Sequence, residues 1–287
     1  MATNMPMDPK PFDLSLAVTD RRIPVVIDSP HSWEHWPENR ATKAPMSAIR
    51  TSWDAYVNDI WRQAVAGRAP VLSACFHRSL IDANRARNDI EPALLSGSWP
   101  ETLYPSSMSA RGFGLIRRLA LPGVDMYNAP LPVSQVQQLL TMYYGPYHAA
   151  LHELIESTRK AFGYCVHLDC HSMKSVGNAM NTDVGQVRPD IVVSDLHGTS
   201  SRPEVTRTVA DLLRQQGFNV NVNDPYAGAE LVRRHGRPDN HCFSIQIEVN
   251  RTLYMDEKSY QPHAGYDRLI SVFQKFLTEL PQHLARP

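Results

Sequence analysis

His31 follows Ser29-Pro30 at the end of an apolar run, Ile23-Pro24-Val25-Val26-Ile27, and Glu34 stands three residues on. Imidazole nitrogens and a carboxylate oxygen are the donor set of zinc hydrolases, which keep about three protein ligands and leave a position for a water whose pKa falls to about 7. The HxxE spacing recurs at once as His35/Glu38, so alone it is a weak signal and a turn or surface role is the plainer reading. The overlapping order His31-x-x-Glu34-His35 has the HxxEH form of a helical metallopeptidase site. Pro30 and Pro37 bracket it too closely for a helix that presents both rings on one face.

A second histidine comes from Asp169-Cys170-His171, whose aspartate can hold the ring nitrogen facing away from a metal; a capping or turn histidine is the alternative. Asp195-Leu196-His197 repeats the DxH form, as a binuclear hydrolase would. Glu248 interrupts an alternating run in which Ile245, Ile247 and Val249 point one way and the glutamate the other. A half-buried carboxylate needs a partner. An activated water would make it a general base, and Arg251 or Arg85 would make it half of an ion pair.

These groups need a scaffold that brings distant stretches together. Strand-like runs at 23–28, 70–76, 164–168, 190–194, 218–222 and 243–249 alternate with helical patterns, and 79–87 reads as a short strand running into a polar loop. Ser52 can cap a helix carrying Trp53, Tyr56, Val57, Ile60, Trp61, Ala64 and Val65 on one stripe, ended by Gly67. A long helical pattern over 134–162 is interrupted at Gly145-Pro146, and further helices are expected over 203–216, 229–235 and 266–280. The alternation predicts an α/β fold with a mixed, mostly parallel sheet and helices on both faces. His31, Arg85, His171, His197 and Arg251 all fall just after strands, where such sheets collect ligands.

At 287 residues and 43% hydrophobic the chain can bury one large core, and no linker shows, so a single domain over residues 1–287 is expected, with residues 1–22 a polar arm that has little to pack. Lys plus Arg and Asp plus Glu balance at 29 each, which argues against nucleic acid or a membrane surface as partner and for a small molecule. No signal-peptide order and no bilayer-length apolar run is present, so a soluble, cytoplasmic chain is expected. Cys75, Cys165, Cys170 and Cys242 form no CxxC pair and are expected as buried free thiols. The proline-rich stretch 92–132 reads as a long, ordered, irregular excursion.

An ordered set of short motifs now carries a resemblance. Pro30-His31-Ser32, Asp82-Ala83-Asn84-Arg85, Tyr144-x-Pro146-Tyr147-His148, Asp169-x-His171-Ser172-Met173, Asn223-x-Pro225-Tyr226 and Gln246-Ile247-Glu248-x-Asn250-Arg251-x-Leu253-Tyr254 together resemble the N-formylglutamate amidohydrolase family. The likeness implies a three-layer α/β/α fold of the zinc carboxypeptidase kind. It also implies metal-assisted cleavage of an N-formyl amino acid, in the type member N-formyl-L-glutamate from histidine breakdown, to formate and L-glutamate. It implies one divalent ion, zinc, on His31 and His171. The carboxylate ligand stays open between Glu34, slightly ahead on its HxxE spacing, and Asp54, which as an acid in a first helical turn is ordinarily only a dipole partner. Glu248 becomes the general base. Asn84 and Arg85 resemble the Asn-Arg pair that grips a terminal carboxylate in carboxypeptidases, and Arg251 either shares that anion or polarises the amide oxygen. Tyr226, Arg87, Arg111 and His197 are weaker candidates. Trp33, where the family usually has a small residue, is expected to crowd the entrance. A deacylase for another acyl group and a non-catalytic amino-acid-binding relative are the alternatives.

Overall fold

Period-two alternation organises the centre of the molecule. In the computed structural model, which describes residues 10–179 and 181–284, the strands of the main sheet are β1 (Phe12–Ser15), β2 (Val25–Ser29), β3 (Val71–Ala74), β4 (Cys165–Met173), β5 (Ile191–Ser194), β6 (Val220–Val222) and β7 (Cys242–Asn250). They form one sheet in the order β1-β3-β2-β4-β7-β5-β6. The four central strands run parallel, β1 joins antiparallel at one edge, and β5 pairs antiparallel with β7. The sheet is therefore mixed and mostly parallel, as the alternation of elements predicts.

Both faces are covered. On one, Val166, Leu168 and Cys170 of β4 and Ile245, Ile247 and Val249 of β7 pack against α1 (Val57–Val65), α3 (Pro203–Gln215) and α5 (Gly265–His283). Trp61 of α1 stacks on Phe273 of α5 with ring centroids 4.2 Å apart. On the other face lie α2 (Gly145–Phe162) and the short α4 (Glu230–His235), with Tyr147, Leu151, Ile155 and Leu231 in a second core. The long helical pattern does not break at Gly145-Pro146. One widened π turn, Leu140–Tyr144, absorbs the missing proline N–H and joins Val133–Leu139 to α2.

Several expectations are corrected. Residues 12–15 are an edge strand on β3, with Phe12 and Leu14 packed on the second core, so this part of the arm does pack; residues 1–9 lie outside the described residues. Residues 79–87 contain no strand. The Asp82 carboxylate accepts the Asn84 N–H at 2.9 Å, and this local bond competes with extended pairing. The helix expected to begin near Trp53 begins at Val57, because Tyr56 takes a left-handed conformation at φ 64°. Asp54 therefore lies in an irregular turn, its N–H bonded to the His31 carbonyl at 3.0 Å. β4 extends well past residue 168, so His171 stands on the strand and not after it. All four cysteines are free and buried. No described helix is long and apolar enough to cross a membrane.

Candidate metal centre and active-site cleft

On the helix-α2 side of the sheet the central strands carry polar side chains. β4 and β7 pair in parallel with Gln246 opposite Asp169 and Glu248 opposite His171, so alternation places all four on the same face. At the carboxyl ends of these strands the polar face opens into a cleft of about 360 Å³. β2 delivers His31 to the same place.

Three donor atoms converge there. His31 Nδ1 and His171 Nδ1 are 3.1 Å apart, Asp54 Oδ2 is 3.1 Å from His171 Nδ1, and it is 3.5 Å from His31 Nδ1. All three residues are buried. The opposite ring nitrogens face carboxylates: His31 Nε2 is hydrogen-bonded to Asp82 Oδ1 at 2.7 Å, and His171 Nε2 stands 2.8 Å from Asp169 Oδ1 as a close charge contact. A carboxylate beside each Nε2 favours the proton on that side and lets Nδ1 turn a lone pair towards a cation. Positive charge holds the three together, either a proton on His171 Nδ1 shared with Asp54 or a cation that takes its place. Their separations match the roughly 3.3 Å between donors held about 2.0–2.1 Å from one tetrahedral centre. Burial opposes charge on His171, yet the carboxylates of Asp169 and Asp54 outweigh it and raise that imidazole well above its ordinary pKa. Burial also works against the Asp54 anion, and hydrogen bonds to His171 and His31 hold it well below the usual carboxylate range all the same. The three donors form a group that can hold a metal ion.

The carboxylate brought to the histidines is Asp54. Glu34 turns away and pairs with Arg50 at 2.7 Å, so its HxxE spacing does not make it a neighbour of the cluster. His35 packs edge-on against Trp33 and not beside His31, which removes the helical HxxEH arrangement. Trp33 itself lines a separate cleft with Cys75 and Asn58, so it does not crowd this one. The second DxH is a turn: Asp195 accepts from Gly198 N–H, Asn223 and Thr206, and His197 is exposed on another surface. Arg87 pairs with Glu101 on the surface.

Glu248 reaches the same cleft, its Oε1 accepting from Gln246 Nε2 at 3.0 Å. Burial pushes it up to about 7, with His171 pulling the other way and Asp54 adding to the rise. Arg251 is buried and largely committed: Nε donates to Ser172 Oγ at 3.1 Å, and Nη2 to the Trp53 carbonyl at 2.7 Å and to Asp54 Oδ1 at 3.1 Å. Asn84, expected to grip substrate, spends its amide inside the protein. Its Nδ2 lies 3.1 Å from His171 Nε2 and 3.3 Å from Asp169 Oδ2, while its Oδ1 accepts the Leu231 N–H at the start of α4. Arg85 lines the cleft with its orientation fixed by two carbonyls, those of Phe113 at 3.1 Å and Asn84 at 3.3 Å. Tyr226 also lines it, its ring under the Arg188 guanidinium at 5.0 Å. Arg111 is at the same cleft.

Sequence reasoning missed Arg78, Arg117 and Lys174 on the cleft wall. It also missed the place of Asp82, which holds His31, and of Gln246, which holds Glu248. Gln246 was findable, two residues from Glu248 on an alternating strand.

A family profile described as N-formylglutamate amidohydrolase matches residues 23–255. The chain belongs to that family. The crystal structure of N-formylglutamate amidohydrolase from Ralstonia eutropha JMP134 superposes with a TM-score of 0.88 at 32% identity, over 96% of this chain and 99% of that one. N-formylglutamate deformylase of Pseudomonas aeruginosa is 25% identical over 95% of this chain and 97% of its own length. The Pseudomonas putida protein of the same name is 23% identical over 95% and 96%. Family membership makes the chain an amidohydrolase, and the donor cluster gives that chemistry a place.

Proposed function

We propose that this chain hydrolyses the amide of an N-formyl amino acid, N-formyl-L-glutamate first among them, to formate and the free amino acid. The observation that carries the reading is the convergence of His31, Asp54 and His171 donor atoms beside Glu248 in one cleft. The names of the similar proteins supply the substrate. Two nitrogens and one carboxylate oxygen suit zinc, and a divalent ion held there would supply Lewis acidity towards a water and the formyl oxygen.

The chain's own groups divide the remaining work. Asp82 and Asp169 fix the two imidazoles in orientation and tautomer. Glu248 takes the proton of the attacking water and returns it to the leaving nitrogen, a task suited to a carboxyl near neutral pKa. Arg85 holds the α-carboxylate in a guanidinium fork, and Tyr226 closes the far wall. Arg251 aims the Asp54 carboxylate and is in this reading a positioning residue. The setting implied by the resemblance is a cytoplasmic enzyme of histidine breakdown.

The test is formate release by purified, metal-analysed protein from a panel of N-formyl, N-acetyl and N-succinyl amino acids. Turnover of N-formyl-L-glutamate that stops on chelation and returns with zinc is the expected result. Stoichiometric metal with no release from any panel member would leave a binding protein, and preference for another acyl group would leave a different deacylase.

A further inference from the structure

Guanidinium groups on the cleft wall are not equally provided for. Arg188 is bound through two bonds to Asp183, and Arg251 is bound to Asp54. Arg78 donates twice to Asp82 Oδ2, at 2.9 and 3.2 Å. Half-buried Arg111 keeps water contact. Arg117 is the least well provided for. It is 4% exposed, its Nε and Nη1 are buried without a partner, and its Nη2 stands 3.8 Å from Asp82 Oδ2. That carboxylate is already shared among His31, the Asn84 N–H and Arg78. Arg85 is held only by carbonyls, which orient a cation without neutralising it.

Arg78, Arg85 and Arg117 thus crowd one wall, with Asp82 the carboxylate in direct contact. Buried donors are rarely left unpaired, and an uncompensated buried charge is costly enough that something must offset it. The Phe113 ring, 5.6 Å from the Arg117 guanidinium, steadies the group but carries no charge to balance it. The natural counterpart is an anion that arrives with the ligand. Arg85 is assigned to the α-carboxylate, which leaves Arg117 facing a second one.

We propose that Arg117 is the specificity-determining residue that reads the side-chain carboxylate of a dicarboxylic N-formyl amino acid. The assignment rests on the amidohydrolase reading of the cleft. It makes this wall a selector for a dianion, because a site built to bond a carboxylate leaves its donors unpaired when a neutral isostere enters.

N-formyl-L-glutamine has the shape of N-formyl-L-glutamate without the second charge, so the ratio of their kcat/KM values isolates the effect. Zinc-loaded wild type is expected to favour the glutamate by about 100-fold or more. Arg117→Met should bring that ratio to within about tenfold, chiefly through KM of the dianion, and Arg117→Lys, keeping charge without the fork, should fall between. Calorimetric binding of L-glutamate should weaken in Arg117→Met while that of L-glutamine stays level. Equal slowing of both substrates in folded Arg117→Met would overturn the assignment. If that variant does not fold, the wild-type ratio and Arg117→Lys decide it, and no wild-type preference overturns it. Formate from both substrates alike sinks only this inference; formate from neither sinks the amidohydrolase reading with it.

Discussion

Two ring nitrogens and a carboxylate oxygen within 3.1–3.5 Å of one another are the donor set of a divalent cation, and this fixes what the residues nearest it must do. Asp54→Ala removes one donor and should cost more metal affinity than the roughly 10–100-fold typical of an outer partner such as Asp82 or Asn84. Glu34→Ala, whose carboxylate only pairs with Arg50, should keep stoichiometric zinc. Metal content by mass spectrometry after dialysis separates the two, and loss of zinc in Glu34→Ala alone would return the ligand role to Glu34. Glu248→Gln keeps shape and hydrogen bonding but cannot accept a proton. It should retain zinc and substrate binding while kcat falls by about 10³-fold or more. A rate within tenfold of wild type would remove Glu248 from proton transfer. The spacing of His31 and Glu34 made Glu34 look the better ligand, because spacing records distance along the chain and not the direction in which the chain leaves a strand. Asp54 comes close through a turn set by the Asp54 N–H to His31 carbonyl bond and by Tyr56, and neither shows in a helical-looking run.

At the scale of elements, strands and their alternation were legible because two buried strands each keep one apolar and one polar face. Val166, Leu168 and Cys170 against His167, Asp169 and His171 is such a pattern, as is Ile245, Ile247 and Val249 against Gln246 and Glu248. What alternation could not give is the neighbour of each strand, and so the register that sets Glu248 opposite His171. The apolar face has its own consequence. α1 and α5 meet through the Trp61–Phe273 stack on the side of the sheet away from the cleft. Phe273→Ala should cost about 3–5 kcal/mol of stability, read as a lower denaturation midpoint, while the folded fraction binds zinc as before. A loss below about 1 kcal/mol would show that the helices dock without this stack.

For the molecule as a whole, the bulk charge concealed the most informative feature. Lys plus Arg equals Asp plus Glu at 29 each, yet the cationic groups gather on one cleft wall, partly from the irregular excursion over 92–132 whose path no periodicity reveals. A second buried polar feature underlies the site. His148 Nδ1 lies 3.2 Å from His235 Nε2, His148 Nε2 donates to the Ala83 carbonyl beside Asn84, and Tyr147 and His167 both bond Asp28. Burial pushes His148 down to about 3, helped by Arg234, and it lowers His235 further, helped by His167 and His148. Both rings are neutral in the folded chain, while in the unfolded chain they take protons near the ordinary value of about 6.5. Below that pH the unfolded state binds protons that the folded state refuses. Stability is therefore full above about pH 6.5 and falls between there and about pH 3, by about 2 kcal/mol per ring at pH 5. Urea midpoints of the zinc-loaded protein should drop between pH 7.5 and 5, and His148→Gln, which removes one such ring while keeping hydrogen-bonding groups, should drop less over the same interval. Carboxylates and metal ligands titrate alike in both proteins, so the difference between the two slopes belongs to His148. Parallel slopes would mean that His148 takes its proton without unfolding, and the polar layer beneath the cleft would then have to open to water while the sheet stays intact.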